Sequence, residues 1–129
     1  MKTIKLKYYI EAPIHDVWDA LTNAHTIFSW SGQAAEMSEN VGTKFSMWEG
    51  DIYGKITASR KEVMLVQDWF MREWINPSRV TFDLTIKGKG TEIDLTHENI
   101  PDADEKLIRE GWDLHYLGHI KDYLEKHVI

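Results

Sequence analysis

The chain of 129 residues has the length of one domain, and its 43% hydrophobic and 28% charged residues are typical of a folded globular protein. The net charge of -6 argues against a nucleic-acid partner, because phosphate binding requires clustered Lys and Arg. The lack of cysteine excludes disulfides, a thiolate nucleophile and cysteine-ligated metals, and it favours the cytoplasm. No apolar run approaches the roughly 20 residues that cross a bilayer, so no membrane association is expected.

The first elements of the chain are read from hydrophobic periodicity. Lys2–Glu11 alternates strictly and predicts a half-buried strand. Pro13 suits the first position of a helix, and apolar residues follow at helical spacing: Ile14, Val17, Trp18 and Leu21. A second helical piece is predicted over Thr26–Trp30, ended by Gly32.

The segment from Ala34 to Ile100 predicts six short strands, because five turn signals interrupt it. The turn signals lie at Glu39–Gly42, Glu49–Asp51, Arg60–Glu62, Asn76–Ser78 and Gly88–Gly90. Connections this short force antiparallel neighbours, since parallel strands need a crossover of a dozen or more residues.

A long helix is predicted from about Ala103 to about His127, with Asp102 and Glu105 as a capping box at its start. At about 1.5 Å per residue it reaches roughly 37 Å and must lie across the sheet. One stripe of this helix carries two glycines, in the order Leu107, Gly111, Leu114 and Gly118. Two interpretations stay open: close backbone packing against the sheet, or space for an apolar ligand.

Acidic residues concentrate at the start of this helix. Between Glu92 and Asp113 there are eight carboxylates against only Lys106 and Arg109. We expect a solvated face that keeps the protein soluble, and the alternative is an edge that a basic partner surface could use.

Together these elements predict an α+β fold over residues 1–129 as a single domain. We expect a curved antiparallel sheet of about seven strands, two short N-terminal helices, and one long C-terminal helix across the concave face.

Several short segments resemble a known family. They are Gly42–Trp48, Gly54–Ile56, Trp69 and Trp74, Gly90–Glu92, Ile100–Asp102, Gly111–Trp112 and Tyr116. The chain resembles the activator of heat-shock protein 90 ATPase homologue, of the C-terminal domain type, in the START-like (SRPBCC, Bet v 1-like) superfamily. The resemblance implies a helix-grip fold and a non-catalytic, co-chaperone-like or stress-related role, with a heat-shock protein 90 family chaperone as partner. The alternatives are a carrier or sensor of a small hydrophobic molecule, and a cyclase-like enzyme.

The six tryptophans and four phenylalanines are a heavy aromatic load, which core packing explains for most of them. If a ligand binds between the long helix and the sheet, the strand alternation and the helix predict its contacts. These candidates are Phe45, Met47, Gln67, Trp69, Phe82, His97, Trp112 and His115.

Histidine spacing raises the question of a metal. His115 and His119 are four residues apart on the predicted helix, and His97 lies on an inward strand position. No Glu stands in a His-Glu-x-x-His arrangement, and no nucleophile elbow, phosphate loop or dinucleotide fingerprint is present. We therefore expect no metal, no cofactor and no catalytic residue, although His97 or Glu49 near a pocket would permit acid–base chemistry.

Overall fold

The computed structural model describes residues 1–127 and places six strands in one antiparallel sheet. The strands are β1 (Lys2–Ile10), β2 (Lys44–Met47), β3 (Ile52–Arg60), β4 (Met64–Met71), β5 (Ser78–Lys87) and β6 (Gly90–Ile100). Their order across the sheet is β1-β6-β5-β4-β3-β2, and every neighbouring pair is antiparallel. The predicted α+β class and the antiparallel pairing are confirmed.

The two N-terminal helices are α1 (Ile14–Thr22) and α2 (Ala24–Ser31). Pro13 precedes α1 as its capping residue rather than starting it. The Asn23 side chain accepts hydrogen bonds from the backbone of His25 and Thr26, so α2 begins earlier than predicted. Gly32 ends α2 in the left-handed conformation with φ 79°, as its position indicated.

The prediction of about seven strands is wrong by one, because the segment after α2 pairs at a single residue. Glu36 exchanges two backbone hydrogen bonds with Ser46, at 2.9 and 3.0 Å, and the ladder goes no further. The Ser38 side chain instead bonds the Asn40 backbone N–H at 3.0 Å and the Thr43 hydroxyl at 2.6 Å. These local bonds hold a turn and compete with strand pairing.

The C-terminal helical segment packs against one face of the sheet. It consists of a 3₁₀ turn (Asp102–Asp104), α3 (Glu105–Gly111), a π-helical segment (Trp112–Tyr116) and α4 (Leu117–His127). The strands bury alternate side chains toward it, among them Ile4, Phe45, Leu65, Val80, Phe82, Ile93 and Leu95. The helical segment meets them with five side chains four residues apart: Ile108, Trp112, Tyr116, Ile120 and Leu124.

The π-helical segment explains how that spacing stays on one face. An α-helix overshoots a full turn by roughly 40° every four residues, so the five side chains would drift by roughly 160°. In the π-helical segment the Leu117 N–H donates to the Trp112 carbonyl, five residues back. The wider turn reduces the accumulated rotation of the side chains away from the sheet. The predicted long C-terminal helix is confirmed, and the π-helical segment is a local departure in its middle.

The predicted capping box does not form. The first turn is 3₁₀, with the Asp104 N–H donating to the Pro101 carbonyl at 2.9 Å, and neither Asp102 nor Glu105 caps it. The Asp102 carboxylate pairs with the ammonium group of Met1 at 2.9 Å. Glu105 pairs with Arg109, one turn on, at 3.4 Å.

The two glycines of the C-terminal helical segment, Gly111 and Gly118, have different surroundings. A Cβ built on Gly118 would lie 1.9 Å from the Asp113 carbonyl oxygen, since the π-helical segment brings that carbonyl against the Gly118 Cα. A Cβ built on Gly111 would meet nothing within 4 Å. Close backbone packing therefore explains Gly118, but the packing is against the Asp113 carbonyl of its own helical segment and not against the sheet. At Gly111 the missing side chain leaves open space.

The two glycines provide a matched test of the π-helical segment. Gly118→Ala should lower the free energy of unfolding by about 1–3 kcal/mol, because the methyl group displaces backbone. Gly111→Ala should raise it by about 1 kcal/mol, because alanine favours the helix and has room there. Urea denaturation of both variants measures the difference, and equal effects of the two substitutions would contradict the role assigned to Gly118.

Candidate functional site

A chain of hydrogen bonds runs through the core at His97. The Trp112 indole N–H donates to His97 Nδ1 at 3.0 Å, and His97 Nε2 lies 2.8 Å from the Ser78 hydroxyl. The Ser78 hydroxyl donates to the Trp69 carbonyl at 2.7 Å. Because Nδ1 accepts, the proton of the neutral ring sits on Nε2 and is donated to Ser78.

This arrangement fixes His97 as a structural residue. Its side chain is fully buried, and burial lowers its pKa to about 3 by penalising the charged imidazolium. Both ring nitrogens are occupied by protein partners. His97 therefore has no nitrogen left for a substrate or for a metal shared with His115 and His119.

The structure brings most of the predicted ligand-contact residues together, but they pack against one another in the core. Five of the eight lie in the interior without reaching the surface groove described below: Phe45, Met47, Gln67, Phe82 and His97. Trp69 and Trp112 are buried and also line the groove, with ring centroids 5.8 Å apart. His115 is exposed at the groove. As a ligand site, this set stays a prediction.

The surface groove has a volume of about 640 Å³. One wall comes from α3, the π-helical segment and α4, with Leu107, Gly111, Leu114 and His119. The facing residues come from α2 and the loop after it, from the β2–β3 turn and from the end of β4, among them Ser31, Trp48, Glu49, Asp51, Met71 and Arg72. This size is typical of small-molecule sites, so we define this groove as the candidate functional site.

The apolar wall of the groove is unusual in its exposure. Leu107 and Leu114 are 51% and 58% exposed, although both flank a concave surface. With Gly111 they are three of the four residues of the glycine-containing stripe, and these three line the groove, whereas Gly118 does not. The stripe was visible in the sequence, but periodicity alone could not show whether it faces the sheet or a groove.

The histidine pair of the groove does not form a metal site with further ligands. The ring centroids of His115 and His119 lie 6.3 Å apart. Within residues 1–127, no group of three or more His, Cys, Asp or Glu side chains could hold a metal ion. Glu49 lies on the exposed β2–β3 turn, with no buried base beside it in the groove lining.

Two buried polar atoms lack hydrogen-bond partners within the described residues: Gln67 Oε1 and Trp69 Nε1. The Gln67 amide nitrogen contacts the Met37 sulfur at 3.6 Å, which is a weak acceptor. Leaving a buried donor unpaired costs about 1–3 kcal/mol. The Trp69 indole N–H therefore stands out, because the residue that carries it also lines the groove.

The six-stranded antiparallel sheet, the two short helices and the long C-terminal helical segment packed on one sheet face define a START-like, helix-grip domain. A solved HSP90 activator from Plasmodium falciparum has the same architecture, with a TM-score of 0.88 and 29% identity over 97% of both chains.

No described helix has the length and apolar character that crossing a membrane requires.

The family is shown by the sequence. Residues 11–125 match the family model described as Activator of Hsp90 ATPase homolog 1-like protein. The chain belongs to this family. It is 27% identical to an activator of 90 kDa heat shock protein ATPase homolog from Dictyostelium discoideum, covering 93% of this chain and 32% of that protein. It is also 27% identical to the human homolog 1, covering 92% of this chain and 36% of that protein. The chain thus spans about a third of the length of these relatives.

The depressed pKa of His97 makes stability depend on pH. In the unfolded chain this pKa returns to about 6.5, so below that pH the unfolded state binds a proton that the folded state does not. The free energy of unfolding should therefore fall as the pH is lowered from about 6.5 toward about 3, by up to ~1.4 kcal/mol per pH unit. His97→Gln keeps a donor and an acceptor but should remove this component.

Urea denaturation between about pH 6.5 and about pH 5 checks the prediction, because carboxylates titrate mostly at lower pH. His115→Gln is the matched control, since it replaces an exposed histidine by the same residue and leaves the buried hydrogen bonds of His97 in place. Parallel stability curves for His97→Gln and the parent protein would contradict the assignment.

Proposed function

We propose that this domain is a non-catalytic, co-chaperone-like protein that binds a chaperone of the heat-shock protein 90 family through its surface. The observation that carries the proposal is the hydrogen-bond chain at His97, joined with the family. The one buried histidine among the described residues has both nitrogens engaged by Trp112 and Ser78, so it is not free to act as an acid or base on a substrate. What remains for function is the surface and its groove.

The names of the relatives support the choice of partner. The Dictyostelium and human proteins are named as activators of the 90 kDa heat-shock protein ATPase, and the Plasmodium structure as an HSP90 activator. The matched region is about a third of the two longer relatives, and the Plasmodium chain is matched over 97% of its length. We infer a cytoplasmic role beside such a chaperone, in which the domain alters the ATPase rate without performing chemistry itself.

The test of this function uses the heat-shock protein 90 homologue from the same organism. Adding the purified domain should raise the chaperone's ATP hydrolysis rate saturably, and a selective inhibitor of that ATPase should abolish the whole signal. His97→Gln should retain the stimulation at neutral pH, because glutamine can still accept the hydrogen bond of the Trp112 indole and no catalytic histidine is required. Absence of both binding and stimulation at concentrations far above those of the chaperone would overturn the proposal.

A second candidate function is the binding of a small hydrophobic molecule in the groove. The observation that favours it concerns Trp69, which lines the groove with Trp48 and Trp112 while its own indole N–H is buried without a partner. A ligand whose carbonyl or carboxylate oxygen pairs with this donor, after a rotation of the Trp69 side chain, would recover the cost of leaving it unpaired. Such ligands combine an apolar body with one acceptor, as fatty acids and aromatic acids do.

Intrinsic tryptophan fluorescence and thermal melting test this candidate. A fitting ligand should change the fluorescence saturably and stabilise the protein, by about 2.7 kcal/mol at a hundredfold excess over Kd. Gly111→Leu should abolish both effects, because its side chain fills open space at the groove. No saturable response to a panel of fatty acids and aromatic acids would remove this candidate.

A further inference from the structure

The outer part of the groove carries an apolar strip with a notch. Leu107 and Leu114 are seven residues apart on the helical segment and both are more than half exposed, while Gly111 between them leaves space for at least a methyl group. Seven residues correspond to about 10 Å along a helix, which is two turns. This spacing matches a second helix whose own apolar side chains recur at i, i+3, i+4 and i+7.

The notch at Gly111 favours a helix over a small molecule. A missing side chain lets the backbone of a second helix approach closely, and helices pack at axial distances of about 8–10 Å. A small ligand bound against the buried lining residues Trp69 and Trp112 would leave Leu107 and Leu114 exposed. A longer occupant such as a helix would cover the tryptophans and the leucines together.

The charge of the groove indicates the sign of the charge that a bound partner should carry. Among its lining residues three carboxylates, Glu49, Asp51 and Glu110, face only one fixed cation, Arg72. Glu110 comes from the acidic segment between Glu92 and Asp113, and the whole protein has a net charge of -6. Such a field attracts cationic segments and repels a second copy of this chain.

We propose that the groove binds a basic amphipathic helix of a partner protein, with apolar side chains against Leu107 and Leu114 and with Lys or Arg beside the groove carboxylates. The proposal rests on the protein-binding function above and names the chemistry of the partner segment. It assigns Glu49, Asp51 and Glu110 a role in docking.

The experiment uses the full chain and a fluorescein-labelled peptide of about 18 residues, with leucines at helical spacing and lysines at the remaining positions. Fluorescence anisotropy should show saturable one-to-one binding that weakens as the salt rises from about 0.05 to about 0.5 M. The same peptide with glutamate in place of lysine should not bind. Equal binding of the acidic and basic peptides would overturn the proposal.

Variants locate the peptide on the surface. Gly111→Leu and Leu114→Lys should each weaken binding by about tenfold or more, because one fills the notch and the other removes an apolar contact. Ile86→Lys is the matched control, since Ile86 is 67% exposed and lies outside the groove lining. Gly111→Leu should melt no lower than the parent protein, which separates lost binding from lost folding. Equal losses in the Ile86 and Gly111 variants would overturn the location.

The outcomes also separate this inference from the proposed function. Undiminished chaperone stimulation by Gly111→Leu, together with no peptide binding by the parent protein, overturns the groove proposal and leaves the chaperone role standing. Peptide binding that depends on Gly111, without any response of the chaperone, supports the groove and overturns the choice of chaperone. Self-association abolished by Gly111→Leu would show a second copy in the groove and overturn the proposed occupant.

Discussion

The contact between the C-terminal helical segment and the inner face of the sheet determines most of this structure. Five of its side chains reach the sheet at intervals of four residues, and two of them are the aromatic residues Trp112 and Tyr116, with ring centroids 4.5 Å apart. A regular α-helix would rotate the later ones away from the sheet. The π-helical segment is the local distortion that reconciles helix geometry with this spacing, and Gly118 is the residue that makes the distortion sterically possible.

The same helical segment also forms one wall of the groove. Ile108, Trp112 and Tyr116 are buried in the core and reach the groove lining, and Leu107, Gly111 and Leu114 continue that lining toward solvent. A π-helical segment is energetically less favourable than continuous α-helix, and such segments occur frequently at functional sites. Here it carries Trp112 and Tyr116, which are buried in the core and also line the groove, so the core and the groove share these two side chains.

Much of the fold could be predicted from the sequence because strands and amphipathic helices carry strong periodic signals. The alternation in β1, the glycine that ends α2 and the short turns between strands were sufficient to predict an antiparallel α+β domain. The prediction of a seventh strand was wrong because local hydrogen bonds of Ser38 compete with strand pairing. Hydrophobic periodicity carries no information about such side-chain hydrogen bonds. The predicted capping box failed for a similar reason, since Asp102 found another partner in Met1.

The candidate site was harder to predict, and Trp112 shows why. Strand alternation correctly turned Gln67, Trp69, Phe82 and His97 inward, but it could not distinguish a cavity from a filled core. In the folded protein Trp112 belongs to both: its indole N–H is bonded to His97 in the core, and its ring lines the groove. The hydrogen bond holds the indole in one orientation, so His97 acts on the shape of the groove only through the position of Trp112 and not through its own chemistry.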